Sequence, residues 1–261
     1  MERLRYVARA THVPARHLVQ ETAYALTDFV NDDASLLIAC RRVLDRQPAA
    51  GPLVWLAAHA LGAPDASKAL WNAAEEIDAD KTAAALAYAL DDEPTIMTIG
   101  WSETFDEVLR LRGDVGAIVV DVDGDLDYQL AAHQASDASI TVVDPSGAAQ
   151  AVASCSHVLI EVDALGPHSA VVRQGALGIC ATARLRSKPV WAIAPTGTTL
   201  ADKMFGGLTR RWHEAEKAPL WERALEEIET ELFDQVCTNG GLTDVAGAVR
   251  ASGCPIVPEL F

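Results

Sequence analysis

At Pro94 the spacing of apolar residues changes, and that change limits the chain to few architectures. Before it the pattern is helical throughout. Leu18, Thr22, Ala25, Leu26 and Phe29 of Ala15–Asn31 recur at three and four, which puts them on one buried face. Asp33 then offers an N-cap to "ASLLIACRRVLDR", Pro48 interrupts before "GPLVWLAAHAL", and the amphipathic stretches "ASKALWNAAEEI" and "DKTAAALAYAL" follow. After Pro94, strand-length apolar runs appear at "TIMTI", "GAIVVDV", "SITVV", "HVLIEV" and "PVWAIA". Helical segments separate them: "SETFDEVLRLR", "LDYQLAAHQA", "GAAQAVAS" and "GALGICATARLR". Strand and helix alternating at this spacing imply right-handed crossovers and a parallel sheet. Runs apolar on both faces imply a sheet covered on both sides. The expected fold is α/β: an N-terminal helical domain in residues 1–92, then a mainly parallel sheet in 93–261. Ligands of such sheets bind at the carboxyl ends of the strands.

Composition narrows the function classes. The 261 residues are 50% apolar and 22% charged, enough for a substantial core. A net charge of −16, with no basic run longer than the pairs Arg41-Arg42 and Arg210-Arg211, argues against direct nucleic-acid binding. The five cysteines, Cys40, Cys155, Cys180, Cys237 and Cys254, form no CxxC pair and read as reduced thiols. No apolar run approaches a membrane span, so a soluble, cytoplasmic protein without membrane contact is expected. The histidines, His12, His17 and His157 among them, lack ligand spacing and read as structural or surface residues. Trp55 and Trp191 sit in apolar runs and read as core. Nothing calls for a cofactor or a bound metal.

The segment "AIVVDVDGDLDYQL", Ala117–Leu130, resembles the nucleophile loop of haloacid-dehalogenase-type phosphatases, with Asp121 as nucleophile and Asp123 as acid/base. Thr196 or Ser146 could supply the hydroxyl and Lys188 the cation, but no acidic pair for Mg²⁺ follows Asp144, and a good strand precedes the loop. A calcium loop fails as well, because Gly124 is misplaced and no Glu stands twelve residues after Asp121. The plainer alternative is a polar strand-end loop with Asp125 capping the next helix.

A more extensive resemblance lies in "HVLIEVDALGPHSAVVRQGALGICATARLRSKPVWAIAPTGT", His157–Thr198. It resembles the signature region of the initiation factor 2B regulatory-subunit family. That family includes methylthioribose-1-phosphate and ribose-1,5-bisphosphate isomerases. Val162-Asp163-Ala164 corresponds to the family's Gly-Ala-Asp strand end, Arg173-Gln174-Gly175 to its Lys-x-Gly turn, and Ala194-Pro195-Thr196 to its last strand. Upstream, "TIMTIGWSETFDEVL" is similar to the family's substrate loop, at Gly100 and Ser102, and "LDRQPAAGPLVWLAAHAL" to its Ser-Arg-Pro-Thr-Ala turn. The resemblance implies a helical domain on a Rossmann-like domain and a homodimer formed through the latter. It also implies a pocket for a sugar, sugar phosphate or nucleotide that involves Gly100, Ser102, Arg173, Gly175 and Arg46. In the isomerases a Cys at the first strand end and the Asp of Gly-Ala-Asp work as an acid/base pair, a role that Asp163 would take here.

The departures bear on that chemistry. Gly100 stands at the Cys position and cannot move a proton, and Cys155 lies before the fourth strand, at its wrong end. The Arg-Pro-Thr-Ala turn reads Gln47-Pro48-Ala49-Ala50, with Arg46 one residue early. A family Glu-Ser-Arg-Pro segment reads Asp121-Val122-Asp123-Gly124, which exchanges a cation for an anion. Two like unit charges about 5 Å apart cost on the order of 3 kcal/mol at an effective dielectric near 20, so a dianionic ester is disfavoured. The reading is a binding or regulatory protein with a degenerate sugar-phosphate or nucleotide pocket. A sugar-phosphate isomerase using Asp163 is the alternative, and a Mg-dependent phosphatase using Asp121 and Asp123 comes third.

Overall fold

The computed structural model describes residues 15–122, 124, 126 and 139–261. Among the described residues five helices come first: α1 (Ala15–Leu26), α2 (Asp33–Arg46), α3 (Gly51–Gly62), α4 (Ala66–Asp78) and α5 (Thr82–Ala89). Asp32, not Asp33, caps α2. Its carboxylate accepts from the Ser35 amide at 3.1 Å while Asp33 is already helical, so the cap stands one residue earlier than expected. Asp65 caps α4 in the same way, accepting from Lys68 N at 2.9 Å. α3 is apolar on nearly every side and is accordingly buried, with Leu53, Val54, Trp55, Leu56 and Ala58 almost wholly covered. It forms the centre of a core built from α1 to α4. Part of the later chain, including Met204, Leu208, Trp212 and Leu260, closes that core.

The sheet begins at β1 (Thr95–Ile99), with α6 (Glu103–Leu111), β2 (Gly116–Val120), β3 (Ile140–Val143) and the short α7 (Ala148–Ala151) following. Then come β4 (His157–Leu165), β5 (Ser169–Arg173), α8 (Ala176–Leu185), β6 (Val190–Ile193), α9 (Asp202–Ala215), β7 (Leu225–Glu229), β8 (Gln235–Thr238), β9 (Gly241–Thr243) and α10 (Val245–Ala251). The strand order is β3-β2-β1-β4-β6-β8-β9, and β1, β2, β3, β4, β6 and β8 pair in parallel. Successive residues face opposite sides. Met97, Val120 and Ile160 pack with α8, whereas Ile96, Val119 and Leu159 pack with α5 and α6. Both faces are thus covered, as a parallel sheet requires. α5 therefore packs on the sheet, although its sequence pattern continues that of the preceding helices.

Four strands were not anticipated. β5 pairs antiparallel with β4 and β7, and β8 is followed by antiparallel β9. β4 also runs past Val162, where the sequence placed its end. Its parallel pairing with β6 ends at Glu161, but the strand continues against β5 to Leu165. Between Val162, opposite Val172, and Ala164, opposite Val171, the register shifts by one residue. Asp163 is the extra residue of this bulge, a device that re-aims a side chain and leaves it outside the ladder.

Candidate functional site

Four elements meet at the carboxyl end of the sheet: the end of β1, the bulge of β4, the end of β5 and the start of α3. After Ile99 the chain turns at Gly100, with φ at +68°, and Ser102 then caps α6, accepting from Phe105 N at 3.1 Å. The plain capping role anticipated for Ser102 is therefore present. The same hydroxyl also donates to the Glu161 carboxylate in a short contact. Thr104 makes a second side-chain hydrogen bond to Glu161. Continuing the β4–β5 register one step beyond Val162–Val172 sets Arg173 across from Glu161. The Arg173 side chain runs over Gly100, so that a Cβ on Gly100 would lie 2.7 Å from its Nε and 2.8 Å from its Cζ.

Asp163 faces the same space. Its side chain is open to solvent although protein surrounds it on many sides, as on the floor of a recess, and no hydrogen bond reaches its carboxylate from the described residues. Behind it, α3 begins in close contact with the strand. A Cβ on Gly51 would lie 2.5 Å from the Asp163 carbonyl oxygen and 3.1 Å from that of Thr198. Gly175, with φ at +98°, caps α8 and packs against Ile99. The cleft thus joins Gly100, Ser102, Glu161, Asp163 and Arg173, with Gly175 beside it.

Two carboxyls with shifted ionisation distinguish this cleft. Desolvation pushes Glu161 up to about 7; its two hydroxyl donors and Arg173 oppose the rise, and the charge of Asp163 adds to it. Desolvation pushes Asp163 up to about 6 against the pull of Arg173. The two carboxyls act on each other electrostatically, so they titrate as a pair. A pair titrating near neutrality can exchange protons with a bound molecule. Glu161 was missed in the sequence, yet it left a signal. A carboxylate inside the apolar run "HVLIEVDAL", two residues before another, has no place in a strand buried on both faces unless that end lines a polar space.

Other expected residues lie elsewhere. Arg46 is exposed in the last turn of α2, and among the described residues no hydrogen bond or ion pair joins it to the cleft. Asp121 closes its own turn, accepting from Gly124 N at 2.8 Å, while Asp123 and Asp125 lie outside the described residues, as does His12. The other side chains of the phosphatase reading are dispersed. Thr196 is bound to Asp80, at 2.6 Å from its Oγ1 and 2.8 Å from its amide, and Ser146 is bound to Asp144. Lys188 donates to the Cys155 carbonyl at 2.6 Å just before β6 begins, at the opposite edge of the sheet from Asp121. Trp55 and Trp191 are buried, and the His157 ring packs against Trp191 at a tilt of 59°, with ring centroids 4.5 Å apart. Among the described residues no group of three or more His, Cys, Asp or Glu could hold a metal ion, and no helix is long and apolar enough to cross a membrane.

Replacing Gly100 by Cys is expected to lower stability by about 1–3 kcal/mol, since a non-glycine residue would have to hold a positive φ and expel Arg173. Thermal unfolding of the variant checks this. An unchanged midpoint would show that Arg173 moves aside freely.

No family model and no curated protein matches the sequence. Solved structures do match. The translation initiation factor eIF-2B of Pyrococcus horikoshii OT3 superposes with a TM-score of 0.74 at 16% identity, over 93% of this chain and 96% of that one. A chain of the tetrameric eIF2B-beta2-delta2 complex of Chaetomium thermophilum gives 0.73 at 15% identity, over 95% and 91%. The 5-methylthioribose 1-phosphate isomerase of Pyrococcus horikoshii OT3 gives 0.61 at 14% identity, over 93% and 83%. These are the two groups of proteins that the motifs of His157–Thr198 resemble. The chain has the fold shared by eIF2B subunits and 5-methylthioribose 1-phosphate isomerase.

Proposed function

We propose that the chain is an initiation-factor-2B-like binding or regulatory protein whose cleft takes a small molecule without isomerising it. The observation that carries this reading is the crossing of Arg173 over Gly100: the strand end has no side chain to move a proton, and a guanidinium fills the space where one would stand. Asp163, Arg173, Gly100, Ser102 and Gly175 form the ligand site, and Arg46 belongs to it only if a ligand draws it in. The fold of the neighbours and the absence of a membrane-length helix among the described residues support a cytoplasmic protein. One neighbour belongs to a tetrameric complex, which supports self-association of this chain, as a homodimer through the α/β domain. The division into a helical domain, residues 1–92, and an α/β domain, 93–261, is part of the same proposal.

The alternative, an isomerase using Asp163, gains from one observation: Glu161 offers a second titrating group in the same cleft. A single assay separates the two. The protein is expected to give no detectable isomerisation of ribose-1,5-bisphosphate or methylthioribose-1-phosphate. Turnover in wild type that disappears in both Asp163→Asn and Glu161→Gln would establish the alternative.

A further inference from the structure

We propose that the cleft selects its ligand by charge, taking a hydroxylated small molecule that carries a protonated amine, with Glu161 and Asp163 as its anionic seats. The inference rests on the reading of this cleft as a ligand site and names what it accepts. Acidic groups dominate the carboxyl edge of the sheet. Asp121 follows β2, Asp144 follows β3, and Glu161 and Asp163 lie on β4, while among the described residues Arg173 is the cation that faces the β4 pair.

Glu161 has a specific effect on an anionic ligand. The Ser102 and Thr104 hydroxyls, at the amino end of α6, are the donors that an incoming oxyanion would use, and the protein's own carboxylate already holds them. A phosphate ester arriving there meets a filled seat and a like charge. Asp163 presents the opposite situation. Its bulge places it outside the ladder, it faces solvent, and no hydrogen bond from the described residues occupies its oxygens. An ammonium group offers three donors, and its positive charge complements two carboxylates that face one guanidinium among the described residues. The groups facing Glu161 are Asp163 from its own strand, Arg173 from β5, and Ser102 and Thr104 from α6; Glu103, in the first turn of α6, lies 3.8 Å from Arg16. Desolvation raises the ionisation of both carboxyls, and Arg173 opposes the rise at each.

Glucamine, sorbitol and sorbitol 6-phosphate form a matched cationic, neutral and anionic series for calorimetry on the full chain. Above pH 7 glucamine is expected to bind roughly tenfold more tightly than sorbitol, and sorbitol 6-phosphate more weakly than either. Glu161→Gln and Asp163→Asn should each bring the glucamine-to-sorbitol ratio close to one. The amide introduced by Glu161→Gln can still accept from Ser102, and Asp163 lies on an open bulge, so both variants should unfold no earlier than wild type. Tighter binding of sorbitol 6-phosphate, or a preference that survives both substitutions, would overturn the charge selection and leave the cleft standing as a ligand site. Binding of none of the three would overturn both.

Discussion

Gly51→Ala is expected to lower the unfolding free energy by about 3 kcal/mol, near the upper end for an overpacked core position. The added methyl would lie 2.5 Å from the Asp163 carbonyl oxygen, 3.1 Å from the Thr198 carbonyl oxygen and 3.2 Å from the Ala164 Cα. All three are backbone atoms of a strand or of the turn after β6, so no rotamer change relieves the contact. α3 would have to withdraw from the sheet, and that would weaken the core it shares with α9. Urea unfolding should show a lower midpoint at unchanged slope. A loss below about 0.5 kcal/mol, the range of an ordinary surface substitution, would mean that α3 and β4 are not held together as described.

Stability should also depend on pH through the cleft, and in an unusual direction for carboxylates. Glu161 and Asp163 have folded-state values above those of the unfolded chain, at about 7 and about 6. Between about pH 4 and pH 7 the folded state therefore binds more protons than the unfolded state, and stability falls as pH rises through that window. Below it both states are protonated and this contribution is flat; above it the full cost is present. For Glu161, which is half-buried, the undiscounted cost is on the order of 3 kcal/mol, and solvent in the cleft reduces it to about 2. Half-buried His59 and buried His157, held below their ordinary values by desolvation, act in the opposite sense, because the unfolded state gains their protons first. The difference between wild type and Glu161→Gln isolates the carboxyl. The variant should be more stable by about 2 kcal/mol at about pH 8 and equal to wild type at about pH 4. A pH-independent difference between the two would disprove the assignment.

Periodicity made the parallel sheet and the helices before it legible, because each strand buries both faces and each helix one. The antiparallel strands were hidden for a different reason. β5 and β7 pair residues 169–173 with 225–229, a contact between distant parts of the chain, and "LEEIE" carries three glutamates in an edge strand. Local spacing records neither circumstance. The site was legible where chemistry survives in a side chain, as at Asp163, Ser102 and Arg173. It was illegible where two side chains act on one another. Nothing in the sequence says that Arg173 lies over Gly100, or that Ser102 spends its hydroxyl on Glu161 as well as on a cap.

The bulge at Asp163 separates two properties that an evolving lineage would otherwise have to change together. The backbone around it is fixed by hydrogen bonds on both strands and by the approach of α3, none of which involves the side chains of residues 161 and 163. Substitutions at those two positions can therefore invert the polarity of the recess while the architecture stays as it is.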